Sequence, residues 1–236
     1  MEIRLSFVKN SRDTNPIDKV LSFEELRNIL TTFTVCDKEN APGIIGGYFN
    51  GKTRDTHNLQ ARTLLILDVD YYNGSINDLE ILFKSSLDPH LYIAYSTASH
   101  ALNAPRIRIV LFFKEEVETK DYRQVSLNFI NSLSEDFKKT IEITTSIKPN
   151  QVMYLPIKPN DEYQPWFSVA KEDKLIDPNL YLNSSNTDIT IHDPLLLTIK
   201  NSPLEISEAN IVNYLTNYPV EERDYYEWLE VGAALH

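Results

Sequence analysis

Leu64-Leu65-Ile66-Leu67-Asp68-Val69-Asp70 ends an apolar run with two carboxylates two residues apart. In a strand, residues i and i+2 point to the same face. Asp68 and Asp70 would therefore project together where the chain leaves the sheet. Carboxylates so placed repel each other unless a cation sits between them. Hard oxygen donors of this kind suit Mg²⁺ or Mn²⁺. The competing reading is a strand end whose acids cap the turn through Asn73-Gly74. A second cluster is Tyr95-Ser96-Thr97-Ala98-Ser99-His100, followed by Pro105-Arg106-Ile107-Arg108. Two guanidinium groups on one strand face, beside a histidine and hydroxyls, make an anion site, with phosphate the usual anion. Read alone, the same residues describe a polar hairpin with two solvated arginines. The combination carries the weight. A carboxylate pair, a phosphate-type cluster and a third acid, Glu142, are what nucleotidyl transfer needs.

Mixed elements must position these groups. Residues 2–8 alternate as a half-buried strand does. Ser22 and Glu25 form a capping box ahead of Leu26, Ile29 and Leu30. Residues 44–49 read as one short strand with two glycines. Residues 63–67, apolar on both faces, predict a central strand covered on both sides. Ser75 starts a helix carrying Leu79, Ile81, Leu82 and Phe83; residues 91–95 and 107–113 read as a hairpin; Thr119 opens a helix with Tyr122, Val125, Phe129, Ile130 and Leu133. Residues 141–145 and 152–155 read as a further hairpin. The expectation is an α+β domain, a mixed and mostly antiparallel sheet with flanking helices, over residues 1–170. Residues 171–205, acidic and holding Pro178, Pro194 and Pro203, read as a linker or surface wrap. Residues 206–236 read as the start of a small helical domain, with Ser207 as a cap and Trp228 and Leu229 on a helix. That pattern is still running at His236, so the chain is expected to be part of a longer protein.

Composition bounds the rest. The 236 residues carry a net charge of −11, which taken whole opposes nucleic-acid binding. The first 150 residues, however, hold 18 basic and 20 acidic side chains, so the deficit lies in the last third. Cys36 is the one cysteine; a disulfide framework and a cysteine zinc site are excluded, and a reducing cytoplasm is the expected location. No apolar run approaches a membrane span. His57 and His90 read as a loop and a structural histidine, and Trp166 as a packing residue.

The order "apolar strand–Asp-x-Asp, Ser/Thr-rich turn with His100, Pro105-Arg106-x-Arg108, then an acid and Pro149-x-Gln151-x-Met153-Tyr154-x-Pro156" resembles primase–polymerase (prim-pol) domains of the archaeo-eukaryotic primase superfamily. The likeness is to those in replication proteins of phages, plasmids and mobile elements, and spans roughly residues 40–160. Gly47-Tyr48-Phe49, Thr53-Arg54 and Asn58-Leu59 also resemble what precedes the acidic motif there. The resemblance implies an archaeo-eukaryotic primase-like catalytic core that uses Mg²⁺ or Mn²⁺, held by Asp68, Asp70 and Glu142. It implies nucleotide contacts from Ser99, His100, Arg106 and Arg108. The implied partners are a single-stranded DNA template or primer and a dNTP or NTP, without a membrane. The residues from Val212 to Gly232 resemble the helical domain that precedes a helicase in such chains, which implies a helicase domain in the full-length protein. The sequence departs from the pattern at Ala98, where a serine is common, and at Glu142, where an aspartate is common. It departs again after Glu142, where Lys148 and the uncharged Gln151 stand for the usual basic residue. Two other classes remain open: a non-catalytic nucleic-acid-binding replication module, and a haloacid-dehalogenase-type phosphatase with Asp68 as nucleophile. Against the phosphatase, Tyr72 replaces a small residue and the chain has no Asp-Asp pair. A rolling-circle nuclease is disfavoured because no His-x-His pair exists.

Overall fold

A computed structural model describes residues 1–182. In chain order the elements are β1 (Glu2–Val8), β2 (Ile17–Ser22), α1 (Phe23–Thr31), β3 (Thr34–Val35), β4 (Gly43–Ile45), β5 (Gly47–Tyr48), β6 (Ala61–Val69), α2 (Ile76–Leu87), β7 (Tyr92–Ser96), β8 (Ile107–Glu118), α3 (Thr119–Ser132), α4 (Glu135–Lys138), α5 (Ile143–Ser146), β9 (Met153–Tyr154), β10 (Ile157–Lys158), β11 (Phe167–Val169) and α6 (Asn179–Leu182). One sheet runs β11-β7-β8-β6-β5 and a second β2-β1-β4-β9; β10 and β3 form a small parallel pair. Every pairing in the two larger sheets is antiparallel. The fold is the expected α+β arrangement. The proposed C-terminal helices, with Ser207 and Trp228, lie outside the described residues.

The two-residue period of β6 organises the core. Leu65, Leu67 and Val69 face a cluster with Leu79, Phe83 and Leu87 of α2 and Tyr122, Val125, Phe129 and Ile130 of α3. Leu64 and Ile66 face the opposite cluster, with Leu26 and Leu30 of α1, Ile3 and Leu5 of β1, Ile44 and Met153. Asp68 continues this second stripe, so its side chain falls on the face turned toward the smaller sheet. Ser22 caps α1 with the reciprocal Glu25 bond, and Ser75 caps α2, as read from the sequence. Residues beyond β11 fold back on the large sheet: Leu91 N donates to Lys174 O and Ile176 N to Phe112 O, both at 2.8 Å.

Two expectations are corrected. Residues 44–49 are two strands in different sheets, split at Gly46. A methyl group at Gly47 would overlap the Ala61 carbonyl, so the close crossing onto β6 requires glycine. Residues 141–145 and 152–155 do not pair with each other. Ile141 bridges Val69 and the chain then turns into α5, while Met153–Tyr154 adds to β4. The outer edge of β6 beyond β5 would otherwise be unpaired, and residues 140–146 satisfy it.

Arg62 is 2% exposed and has no carboxylate partner among the described residues. It donates to the carbonyls of Pro149 and Leu64 and to Tyr122 Oη, and lies over the Tyr122 ring at 4.3 Å. Tyr122 Oη in turn donates to Ser146 O at 3.0 Å. Arg62→Met should leave these acceptors unmet in the core. The expected cost is about 3 kcal/mol, which for a domain of this size lowers Tm by roughly 6–12 °C in a thermal melt. An unchanged Tm would refute this role.

Candidate active site

β6 and β7 both run antiparallel to β8, and so are parallel to each other. The ends of β6 and β7 and the start of β8 therefore share one end of the sheet. That end holds Asp68 and Asp70, Ser96 to His100, and Arg106 and Arg108. Asp68 sits opposite Arg108, and Arg108 opposite Tyr95. Arg108 Nε lies 3.3 Å from Asp68 Oδ1, with the two side chains 11% and 10% exposed. The contact is an ion pair without hydrogen-bond geometry, so both atoms are buried with no hydrogen bond. Arg108 instead donates Nη1 to the Tyr154 carbonyl at 3.1 Å, which also accepts Tyr95 Oη at 2.9 Å.

Glu142 arrives through the backbone. Its N–H donates to Asp68 O at 2.7 Å, while Asp70 N and Tyr71 N both donate to Thr140 O at 3.1 Å. Ser146 Oγ accepts from Asp68 N at 3.0 Å and donates to Glu142 O at 2.7 Å. Tyr71 Oη donates to the Glu142 carboxylate. That bond raises the Tyr71 phenol to about 12. Burial raises the Asp68 pKa; Arg108 lowers it, Asp70 and Glu142 raise it, and Lys38 lowers it. The three predicted acids are thus brought within electrostatic reach of one another.

The residues fit a divalent cation in part. Among the described residues no three His, Cys, Asp or Glu side chains form a ready cage. Mg²⁺, however, is commonly bound by one or two carboxylates together with substrate phosphates. Asp68 offers a buried oxygen lacking a hydrogen bond, and the burial and acid neighbours that disfavour its charge would favour a cation.

His100 is half-buried beside the Tyr163 ring. Its Nδ1 accepts the Arg106 backbone N–H at 3.3 Å, and Nε2 is buried without a partner. An Nδ1 that accepts leaves the proton of the neutral ring on Nε2. Ser99 and Arg106 are exposed. No hydrogen bond or ion pair joins Ser99, His100 or Arg106 to the carboxylates among the described residues; they share the sheet end with them. Burial lowers the His100 pKa. Between that value and the ordinary 6.5 the unfolded chain binds the extra proton, so this histidine's contribution to stability is lost as pH falls below about 6.5. NMR titration of the free chain should give His100 a pKa below 6.5, and adding a nucleoside triphosphate should raise it. A pKa at or above 6.5 in the free chain would contradict the geometry.

Several contributors were not foreseen. Tyr95 becomes visible once the hairpin register is fixed, because it then stands across from Arg108. Tyr71 and Ser146 owe their places to the docking of residues 140–146 on β6. Lys38, in a short 3-10 turn, has no signal in its neighbours. His57 is exposed, in a short 3-10 turn (Thr56–Asn58) rather than an irregular loop, and His90 stacks edge-on against Phe129 at 5.4 Å, a packing role as read. Trp166 packs on Phe83.

No helix among the described residues is long and apolar enough to cross a membrane. No curated protein matches the chain. Among solved structures, the AEP domain of the primase-polymerase (PrimPol) of cyanophage S-2L aligns with 77% of this chain and 87% of its own, at 13% identity and a TM-score of 0.43. The family model described as the VapE N-terminal domain matches residues 31–191, more than half of the sequence. The chain belongs to the VapE N-terminal domain family.

Proposed function

We propose that this domain is a nucleotidyltransferase that adds nucleotides to a primer or starts one on a single-stranded DNA template. It would serve replication of a phage, plasmid or mobile element. The catalytic unit is residues 1–170, and a helicase in the same full-length chain is the expected partner. The observation that supports the reading most is the docking of Glu142 on β6, beside an Asp68 already opposed to Arg108. Acids and a guanidinium side by side at one sheet end support a metal-and-phosphate site.

Asp68, Asp70 and Glu142 would hold Mg²⁺ or Mn²⁺. Bound there, the metal would supply activation of the 3′-hydroxyl and stabilisation of the leaving pyrophosphate. Arg108, fixed by the Tyr154 carbonyl, offers its remaining donors to the triphosphate. His100 Nε2–H donates to a phosphate oxygen, and Arg106 and Ser99 extend the anion site from the loop. The rigid sheet end orients these groups before the nucleotide arrives. The test is incorporation of labelled dNTP or NTP on a primed single-stranded template, with Mg²⁺, with Mn²⁺ and with neither. Metal-dependent extension is expected. Failure to extend with either nucleotide and either metal would overturn the enzymatic reading, and a covalent phosphate on Asp68 would replace it with a phosphatase.

A further inference from the structure

We infer that the polar cleft between the Ser11–Arg54 region and the turn before β9 holds a backbone phosphate of the nucleic-acid strand. The inference rests on the reading just proposed. The cleft, about 250 Å³, is lined by Ser11, Arg54, Lys148, Asn150, Gln151 and Tyr154, with Val152 the apolar exception. It adjoins the site through Tyr154, whose carbonyl accepts from Arg108 and Tyr95.

The wall is built before any ligand binds. Gln151 N donates to Lys148 O at 3.2 Å, closing a turn with Pro149 at its second position, where the fixed φ of proline suits it. Arg62 grips the Pro149 carbonyl from the core. The opposite wall is held by Arg54, which donates to the carbonyls of Asp13 and Ser11. Its charge is met there by carbonyls, with Asp13 a weak neighbour that feels it. Lys148 is exposed and forms no ion pair among the described residues.

Arg54 and Lys148 line one cleft, and neither is ion-paired among the described residues. Arginine, lysine, serine and side-chain amides are the groups that contact phosphate and sugar without reading bases. Tyr154 adds an aromatic wall, and ring stacking beside a cationic groove is how single strands are held. The mixture fits a strand better than a triphosphate, whose three phosphates call for convergent charge such as Arg106, Arg108 and His100 provide.

The experiment uses the whole chain and a fluorescent single-stranded oligonucleotide, with anisotropy titrations over a range of salt. Lys148→Ala should weaken binding roughly three- to tenfold near 100 mM salt and reduce the log–log salt slope by about 0.7, the value for one lost phosphate contact on a single strand. Lys148→Arg should restore the slope, and Lys139→Ala, which does not line the cleft, should leave it unchanged. The KM for the incoming nucleotide should stay within about twofold in Lys148→Ala. If the wild type binds and extends the oligonucleotide but Lys148→Ala has an unaltered slope, the cleft assignment falls and the enzymatic reading stands. If nucleotide KM rises while strand affinity holds, the cleft serves the nucleotide and the strand assignment falls. If the wild type neither binds nor extends the oligonucleotide, both fall together.

Discussion

Asp68→Asn should remove nucleotide incorporation while leaving the domain folded and more stable. The stability half follows from the pKa direction. Burial raises the Asp68 pKa in the folded state, and Arg108 offsets this only partly. Between the unfolded and folded values the native state holds a proton that the unfolded chain has lost, so stability falls as pH rises through that window. Above that window the ionised carboxylate opposes folding in full. Asparagine has similar shape and carries no charge. Tm should rise by about 2–4 °C, what roughly 1 kcal/mol does in a domain of this size. The catalytic half follows from the metal assignment. A divalent ion supplies several kcal/mol of transition-state stabilisation, and each 1.36 kcal/mol is tenfold in rate. Loss of a central ligand should therefore lower kcat/KM by about 10²- to 10⁴-fold. The two halves meet in one melt. Mn²⁺ at about 100 times its Kd should stabilise the wild type by about 2.7 kcal/mol and have no effect on Asp68→Asn with Asp70→Asn. Equal metal-induced shifts in both proteins would refute the carboxylate assignment, whatever the activity shows.

How far the sequence carries this site depends on whether the signal is local. Asp68 and Asp70 are legible because alternation and burial coincide in one strand: an apolar stripe that ends in a carboxylate names its own face. The β7–β8 hairpin is legible because a polar segment separates two apolar runs, and antiparallel pairing then fixes Arg108 opposite both Asp68 and Tyr95. Glu142 is harder. Residues 141–145 contain alternating and β-branched side chains, which read as a strand. Tertiary structure overrides that preference, because the free edge of β6 takes up Thr140 and Glu142 by backbone hydrogen bonds and the chain then winds into α5. The split of residues 44–49 fails for a similar reason: it depends on which sheet each half joins, and no local pattern encodes a partner. Arg62 is the clearest omission. Arginine within a strand reads as an exposed position, yet here it is buried by Tyr122 and by carbonyls from residues far along the chain.

Arg108→Met should fail in two separable ways. The side chain faces Asp68 at 3.3 Å and is held by the Tyr154 carbonyl. It is the largest influence lowering the Asp68 pKa, which burial already raises. Without it the carboxylate should titrate higher still, because the adjacent opposite charge is gone. Activity that needs ionised Asp68 should therefore have its acid limb moved to higher pH. This part of the defect should recover as pH is raised. The second part should not. A charged hydrogen bond to phosphate contributes about 1.5–3 kcal/mol, so nucleotide KM should stay about tenfold or more above wild type on the alkaline plateau. His100→Ala should reproduce the raised KM without moving the acid limb, since His100 makes no contact with the carboxylates among the described residues. Arg108→Lys should keep the limb near wild type, because the charge remains, while restoring KM only in part, because an ammonium lacks the planar fork. Complete pH–rate profiles for the three variants decide the matter. A wild-type acid limb in Arg108→Met would show that Asp68 does not depend on the ion pair. A wild-type plateau KM in both Arg108→Met and His100→Ala would remove the triphosphate from this end of the sheet.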